Sequence, residues 1–312
     1  MRVAFVVDPL DRLQPHHDTS VALMEALQQR GHDVFALEIS DMYAAAGSTW
    51  ADIRRLQVFP GKVGWYQASS RESVPLSTMD AVWMRKDPPV DDAYVTATQL
   101  LSLIGGKTLV LNNPAGLLVA NEKLFALQFS NWTPETIVTR QKQAILDFVS
   151  ERDRAVLKPL DGKGGEGIFV LQAGDRNLNS LIEVSTRFGT LPVMVQEYLP
   201  AAKDGDKRIL LLDGEPLGAV NRIPGQGDFR GNIAAGGSVA RVDITERERQ
   251  MCGEIGPVLR ANQLFFVGID VIGERLTEVN VTSPTMLKEI AQLSGKDLGV
   301  DVVEWLERKL AS

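Results

Sequence analysis

Cysteine is nearly missing from this chain: Cys252 is the only one in 312 residues. That excludes an internal disulfide framework and suits a reducing compartment. Cys252 falls in a helix expected over 245–262, with no histidine close in sequence, so it reads as a packed thiol rather than a nucleophile. Histidine is almost as scarce, and His16, His17 and His32 lack metal-ligand spacing. Positive charge is short as well. A net charge of −7 argues against nucleic acid or an anionic membrane as the main partner. Any anionic ligand must therefore be held by a local cluster of Lys and Arg. No apolar run is long enough to span a membrane, and MRVAFVVDP starts a strand without a basic leader. The expectation is no signal peptide, no membrane association and a cytoplasmic location.

What is present is ordinary globular composition, 44% hydrophobic and 23% charged, in a chain long enough for about two domains. The first third reads as an α/β unit with a parallel sheet. Residues 3–7 form an apolar strand, Asp18-Thr19-Ser20 offers N-cap residues for a helix ending near Arg30, and Gly31 suits the position after it. Residues 33–39 read as the next strand, giving a βαβ start. Strands at 81–84 and 108–111 run into Arg85-Lys86-Asp87-Pro88-Pro89 and Asn112-Asn113-Pro114, the kind of strand end where open α/β sheets bind ligands. For Arg85 and Lys86 a solvated loop is the alternative. The middle reads as a helix around 120–129, a strand at 136–139, a helix at 142–151 and strands at 155–158 and 168–171. Helices near 285–292 and 300–310 follow, the latter with Val302, Val303, Leu306 and Leu310 on one packing face.

Gly162, Gly164 and Gly167 spell G-x-G-x-x-G, but a β-type run follows where a dinucleotide-binding motif needs a helix. No Lys-Ser or Lys-Thr closes a Walker A loop, and neither H-R-D nor D-F-G occurs, which excludes a protein kinase. A glycine-rich turn between strands can still bring backbone N–H groups onto phosphates. Lys158, at the end of the preceding strand, would meet them there; a plain hairpin tip is the alternative. The segment GIDVIGERLTEVN sets Asp270, Glu278 and Asn280 in an otherwise apolar hairpin. Glu278 and Asn280 share a face by strand alternation. Asp270 joins them if Gly273-Glu274-Arg275 forms a three-residue loop pairing 272 with 276 and 270 with 278. Three hard oxygen ligands suit Mg²⁺ carrying nucleotide phosphates; a solvated charged face is the alternative. Lys123, Arg208 and Arg222, the last two separated by a turn at Asp213-Gly214, complete a kit for phosphoryl chemistry, although each alone reads as a solvated charge.

The ordered stretches MRKDPP, NEKLF, TPET, LKPLDGKGGEGIF, YLPAAKDGDKR, RIPGQGDFRGNIAAGG and FVGIDVIGERLTEVNVTSPT make the chain resemble bacterial glutathione synthetases of the ATP-grasp superfamily over nearly its whole length. The resemblance implies an α/β domain over 1–119, then a two-lobed α+β ATP-grasp unit, with the glycine-loop lobe at 120–199 and the metal-hairpin lobe at 200–312. It implies ATP-dependent ligation of γ-glutamylcysteine to glycine through an acyl phosphate. It implies Mg²⁺, with Mn²⁺ as a substitute, and a homotetramer. It puts Lys123, Lys158, Gly162, Gly164, Gly165, Gly167, Glu197, Leu199 and Asp206 around ATP, with Asp270, Glu278 and Asn280 on the metal. Arg208, Arg222 and Asn280 would be catalytic, and Arg230, Asn232, Ser283 and Thr285 would meet the peptide substrate. Another ATP-grasp carboxylate–amine ligase is the rival reading, followed by a noncatalytic ATP-binding module. Residues 225–237 carry enough glycine for a closing lid.

Overall fold

The computed structural model describes residues 1–162, 164–225, 231 and 236–311. Four parallel strands form the heart of the first sheet, in the order Asp33–Leu37, Arg2–Val6, Ala81–Met84, Leu109–Leu111. Val3, Ala4, Phe5 and Val6 are all fully buried, as a strand covered on both faces requires. The helix Thr19–Gln29 covers one face, and Asp18 caps it by accepting from the N–H groups of Ser20 and Val21. The sheet also grows antiparallel through the long strand Ser48–Val58, for which the sequence pattern gave no expectation.

The helix expected around 120–129 does not form. Instead Asn113 caps a short helix, Pro114–Val119, with Pro in its first turn. Asn121 then accepts from the N–H groups of both Lys123 and Leu124, a local turn that outcompetes helix continuation. Lys123 thus sits in a turn, and only Phe125–Phe129 coils again, as a 3₁₀ segment.

Residues 136–197 form a separate antiparallel sheet, ordered Phe169–Gln172, Arg154–Pro159, Val193–Glu197, Thr136–Thr139. The helices Lys142–Arg152 and Leu178–Ser185 bury Ile145, Val149 and Ile182 against Leu157, Leu171 and Val195, giving this lobe a core of its own. The third sheet is antiparallel: Ser238–Arg241, Glu215–Ile223, Asp206–Leu212, Phe266–Ile272, Arg275–Asn280. One of its faces packs Ile209, Val267 and Ile269 with Met251, Ile255 and Leu259 of helix Glu246–Ala261, and this cluster runs on into the first domain. Helices Leu287–Ser294 and Leu298–Ala311 cover the other face. Asn112 fastens the two bodies. Its Oδ1 accepts from the N–H groups of Phe265 and Phe266, while Nδ2 donates to the carbonyls of Phe266 and Val281.

Candidate active site

A cavity of about 1060 Å³ opens where parallel-strand ends of the first domain face the glycine loop and the third sheet. That is the upper end of small-molecule sites and leaves space for a nucleotide together with a second substrate. Its cationic and anionic groups come from cross-strand neighbours. Arg208 pairs in register with Asp270, Asp206 with Arg222, and Asp270 with Glu278. Strand alternation turns all of them to one face. Gly268 is the small residue that makes space: a Cβ there would stand 3.0 Å from Cδ of Arg208.

The hairpin reaches this arrangement by a route different from the expected one. Ile272 pairs with Arg275, so the turn contains two residues, Gly273 and Glu274, with φ of 55° and 62°. Such a turn has the left-handed pair typical of type I′. On its own it would set Asp270 opposite Thr277 and send Glu278 to the far face. A bulge corrects the parity. Val271 pairs with Leu276 while the adjacent Asp270 pairs with Glu278, which makes Thr277 the extra residue. Asp270, Glu278 and Asn280 therefore do share a face, and Asn280 Nδ2 donates to Asp270 Oδ2 at 3.3 Å.

The charges in this cluster neutralise one another. Arg208 grips Asp270 as a fork, Nε to Oδ1 at 2.5 Å and Nη2 to Oδ2 at 3.0 Å. Arg222 Nη2 bridges Asp206 Oδ2 at 2.5 Å and Asp270 Oδ2 at 3.0 Å. Burial by itself would raise the Asp270 carboxyl, but the two guanidiniums hold it well below the usual carboxylate range. Asp206 responds differently. Its burial outweighs Arg222 and pushes it up to about 6, with Asp270 adding repulsion. Its Oδ1 is buried without a partner. Lys123 Nζ joins the hairpin to the glycine loop, 3.0 Å from Glu278 Oε1 and donating to the Gly162 carbonyl at 2.9 Å. Lys158 Nζ donates to Gln196 Oε1 at 2.6 Å, and burial lowers its pKa against the pull of Glu278.

Of the expected ATP residues, Lys123, Lys158, Gly162, Gly164, Gly165, Glu197, Leu199 and Asp206 all line the cavity. Gly167 does not; its φ is 66° and a Cβ would stand 3.2 Å from the Pro159 ring, so it serves the turn itself. Arg208, Arg222, Asp270, Glu278, Asn280, Ser283 and Thr285 line the cavity too. Arg230 and Asn232 lie outside the described residues, as does most of the expected lid over 225–237. Arg85 is no solvated loop residue: it is 3% exposed, donating to Ser20 Oγ and to the Pro284 carbonyl. Lys86 pairs with Asp8.

Sequence reasoning missed Glu122. Its Oε1 accepts from the N–H groups of Val281 and Thr282 and from Thr282 Oγ1, and its carbonyl accepts from Val279 N–H. It thereby fixes the chain on both sides of Asn280. The pattern gave no hint, because its acceptors' partners lie about 160 residues away. Gln196 was missed as a side-chain partner: its Oε1 accepts from Lys158 Nζ.

For a divalent metal the donor chemistry fits. Among the described residues no group of three or more His, Cys, Asp or Glu is placed to hold a metal ion, so a site here would depend on the Asn280 amide oxygen beside two carboxylates. All three are hard oxygen donors of the kind Mg²⁺ takes. Arg208 and Arg222 hold Asp270, Lys123 holds Glu278, and these cations would have to yield to the ion.

The family model described as prokaryotic glutathione synthetase, N-terminal domain, matches residues 1–117, and that described as prokaryotic glutathione synthetase, ATP-grasp domain, matches 122–295. The glutathione synthetase of Thermosynechococcus vestitus is 57% identical, covering 98% of this chain and 99% of the relative. That of Gloeobacter violaceus is 53% identical over 98% and 96%. Among solved structures, D-cycloserine synthetase DcsG superposes with a TM-score of 0.70 at 15% identity, covering 99% of this chain and 100% of DcsG. ATP-grasp ligase PsnB, complexed with a precursor peptide and AMPPNP, gives 0.63 at 16% over 100% and 98%. These two likenesses speak to the fold alone. The chain belongs to the prokaryotic glutathione synthetase family and carries its ATP-grasp domain.

Proposed function

We infer that this cleft joins γ-glutamylcysteine to glycine at the expense of ATP, yielding glutathione, ADP and phosphate; the relatives that match it along their whole length are named glutathione synthetases. The observation that carries the site assignment is the face-to-face pairing of the Asp270–Glu278–Asn280 hairpin with the Lys123–glycine-loop wall. The cysteinyl carboxylate is a poor electrophile, so one of its oxygens first attacks the γ-phosphorus of ATP and ADP leaves. Glycine's amine then attacks the acyl carbon, phosphate leaves, and the amine gives up a proton. Lys123, Lys158 and the glycine-loop backbone hold the phosphates, with Glu197, Leu199 and Asp206 around adenosine. Arg208 and Arg222 neutralise the transferring phosphoryl group and then the tetrahedral oxyanion. Asp270, Glu278 and Asn280 would hold Mg²⁺, or Mn²⁺ in its place, which when bound offsets phosphate charge. Ser283 and Thr285 border the peptide. No protein nucleophile is needed, and Cys252, buried with its pKa pushed up to about 12, is not one.

We propose the division 1–119, 120–199 and 200–312 for the three parts, on the strength of the separate sheets. No helix among the described residues is long and apolar enough to cross a membrane. A cytoplasmic homotetramer remains a proposal supported by resemblance. Phosphate release measured with γ-glutamylcysteine, glycine and ATP, omitting each in turn, tests the function. Release that requires γ-glutamylcysteine and yields glutathione only with glycine is expected; release independent of both would overturn the assignment.

A further inference from the structure

The cavity continues past Ser283 and Thr285 to an end walled by the first domain and by the helix Leu287–Ser294. Acidic side chains gather there, and their acceptors are mostly committed. Asp8 pairs with Lys86 at 3.0 Å. Asp18 gives Oδ1 to the N–H groups of Ser20 and Val21, its capping role at the first helix. Glu289 differs. Its Oε1 accepts from His17 Nδ1 at 2.9 Å, but Oε2 is buried with no hydrogen-bond partner, in a side chain only 7% exposed that lines the cavity. The neighbouring Lys288 does not fill the gap, because its ammonium donates to the Pro15 carbonyl at 2.5 Å. A buried carboxylate oxygen left without a donor is costly, and a cationic donor is the partner that recovers most of that cost.

We propose that Glu289 is the ammonium subsite of this cavity and selects the free α-amino group of the γ-glutamyl arm. The inference rests on the ligase reading above and deepens it. One continuous stretch of chain lines the cavity from Glu278 and Asn280, where the phosphoryl chemistry is placed, through Ser283 and Thr285 to Met286 and Glu289. A substrate with its reacting carboxylate at the hairpin lies along that stretch with its opposite end at Glu289. In γ-glutamylcysteine that end carries the α-amino group, because the peptide link uses the side-chain carboxyl. His17, its own side chain 61% exposed, holds Oε1 and so leaves Oε2 as the uncommitted acceptor of the carboxylate.

Steady-state kinetics with γ-glutamylcysteine and with glutarylcysteine, the same molecule lacking the α-amino group, test this. For the unaltered protein, KM is expected to be about 10- to 100-fold higher for glutarylcysteine, the range for losing a hydrogen bond to a charged group. Glu289→Gln, which keeps the shape and an acceptor for His17, should raise KM for γ-glutamylcysteine by a similar factor. Its KM for glutarylcysteine and for ATP should stay within about twofold of the unaltered protein. Equal penalties on both peptides would overturn the proposal, and so would an unaltered protein indifferent to the amino group, an outcome that needs no variant to fold. Glutathione formation from γ-glutamylcysteine by the unaltered protein separates failure here from failure of the ligase reading itself.

Discussion

Asp206 and Asp270 are carboxylates on neighbouring strands of one buried cluster, yet their environments push them in opposite directions. Asp270 has two guanidiniums and stays ionised; Asp206 shares Arg222 with it and is left with an unpartnered oxygen. The sign of the resulting pH dependence follows from linkage. Asp206 titrates at about 6 folded and 3.8 unfolded, so between these values the folded state binds more protons. Its contribution to stability is therefore present at low pH and is lost as pH rises through about 6. The depressed Asp270 does the reverse, but its loss begins only as pH falls below the ordinary carboxylate range. Carbonyl NMR of the ligand-free protein should show an Asp206 midpoint near 6, and Asp206→Asn should flatten the stability profile between about pH 4 and pH 6. An Asp206 midpoint at the ordinary 3.8 would contradict the desolvation argument. Residue types such as these were legible in the sequence. Their partners were not, since Glu122 and Arg85 act through groups that only the tertiary fold brings near.

At the scale of elements, chain-local chemistry decides both where the sequence pattern held and one place where it failed. The strand Thr136–Thr139, the Asp18 cap and the helix expected over 245–262, found at Glu246–Ala261, match their expected positions because their determinants lie within a few residues. The expected helix around 120–129 failed for a local reason as well, the Asn121 side chain competing for backbone N–H groups. The hairpin shows a different limit. Alternation gave the shared face of Glu278 and Asn280, but it could not distinguish a three-residue loop from a two-residue turn with a bulge. Both devices add one residue and give Asp270 the same face. The two-residue turn makes Gly273 a sensitive position, since its φ is 55° and a Cβ would stand 2.9 Å from the Ala201 Cβ. Gly273→Ala should therefore cost about 1–2 kcal/mol, the penalty for an L side chain in the left-handed region, read from the urea unfolding midpoint. A neutral result would mean that the turn can adopt another geometry.

Across the whole molecule, the middle lobe owns its core while the third sheet shares two apolar clusters with the first domain. The cavity therefore has one firm wall and one wall on a separately packed lobe. Asn112 is the polar pin of the firm side, all four of its bonds crossing to Phe265, Phe266 and Val281, within or next to strands of the third sheet. Asn112→Ala strands buried N–H and C=O groups and is expected to cost about 3 kcal/mol or more, measured by denaturant unfolding; a loss below about 1 kcal/mol would show that water replaces the amide. The parallel heart of the first sheet was legible from its continuous apolar strands, whereas its antiparallel extension and the Asn112 junction depend on long-range pairing that periodicity does not encode.

Everything proposed for this cleft turns on the substrate carboxylate becoming an acyl phosphate beside Arg208, Arg222 and the acidic hairpin. Heavy-oxygen label in the cysteinyl carboxylate of γ-glutamylcysteine reports that step directly, by mass spectrometry of the phosphate released during turnover with ATP and glycine. The expected result is one labelled oxygen in each phosphate formed from fully labelled carboxylate; unlabelled phosphate alongside glutathione would contradict it.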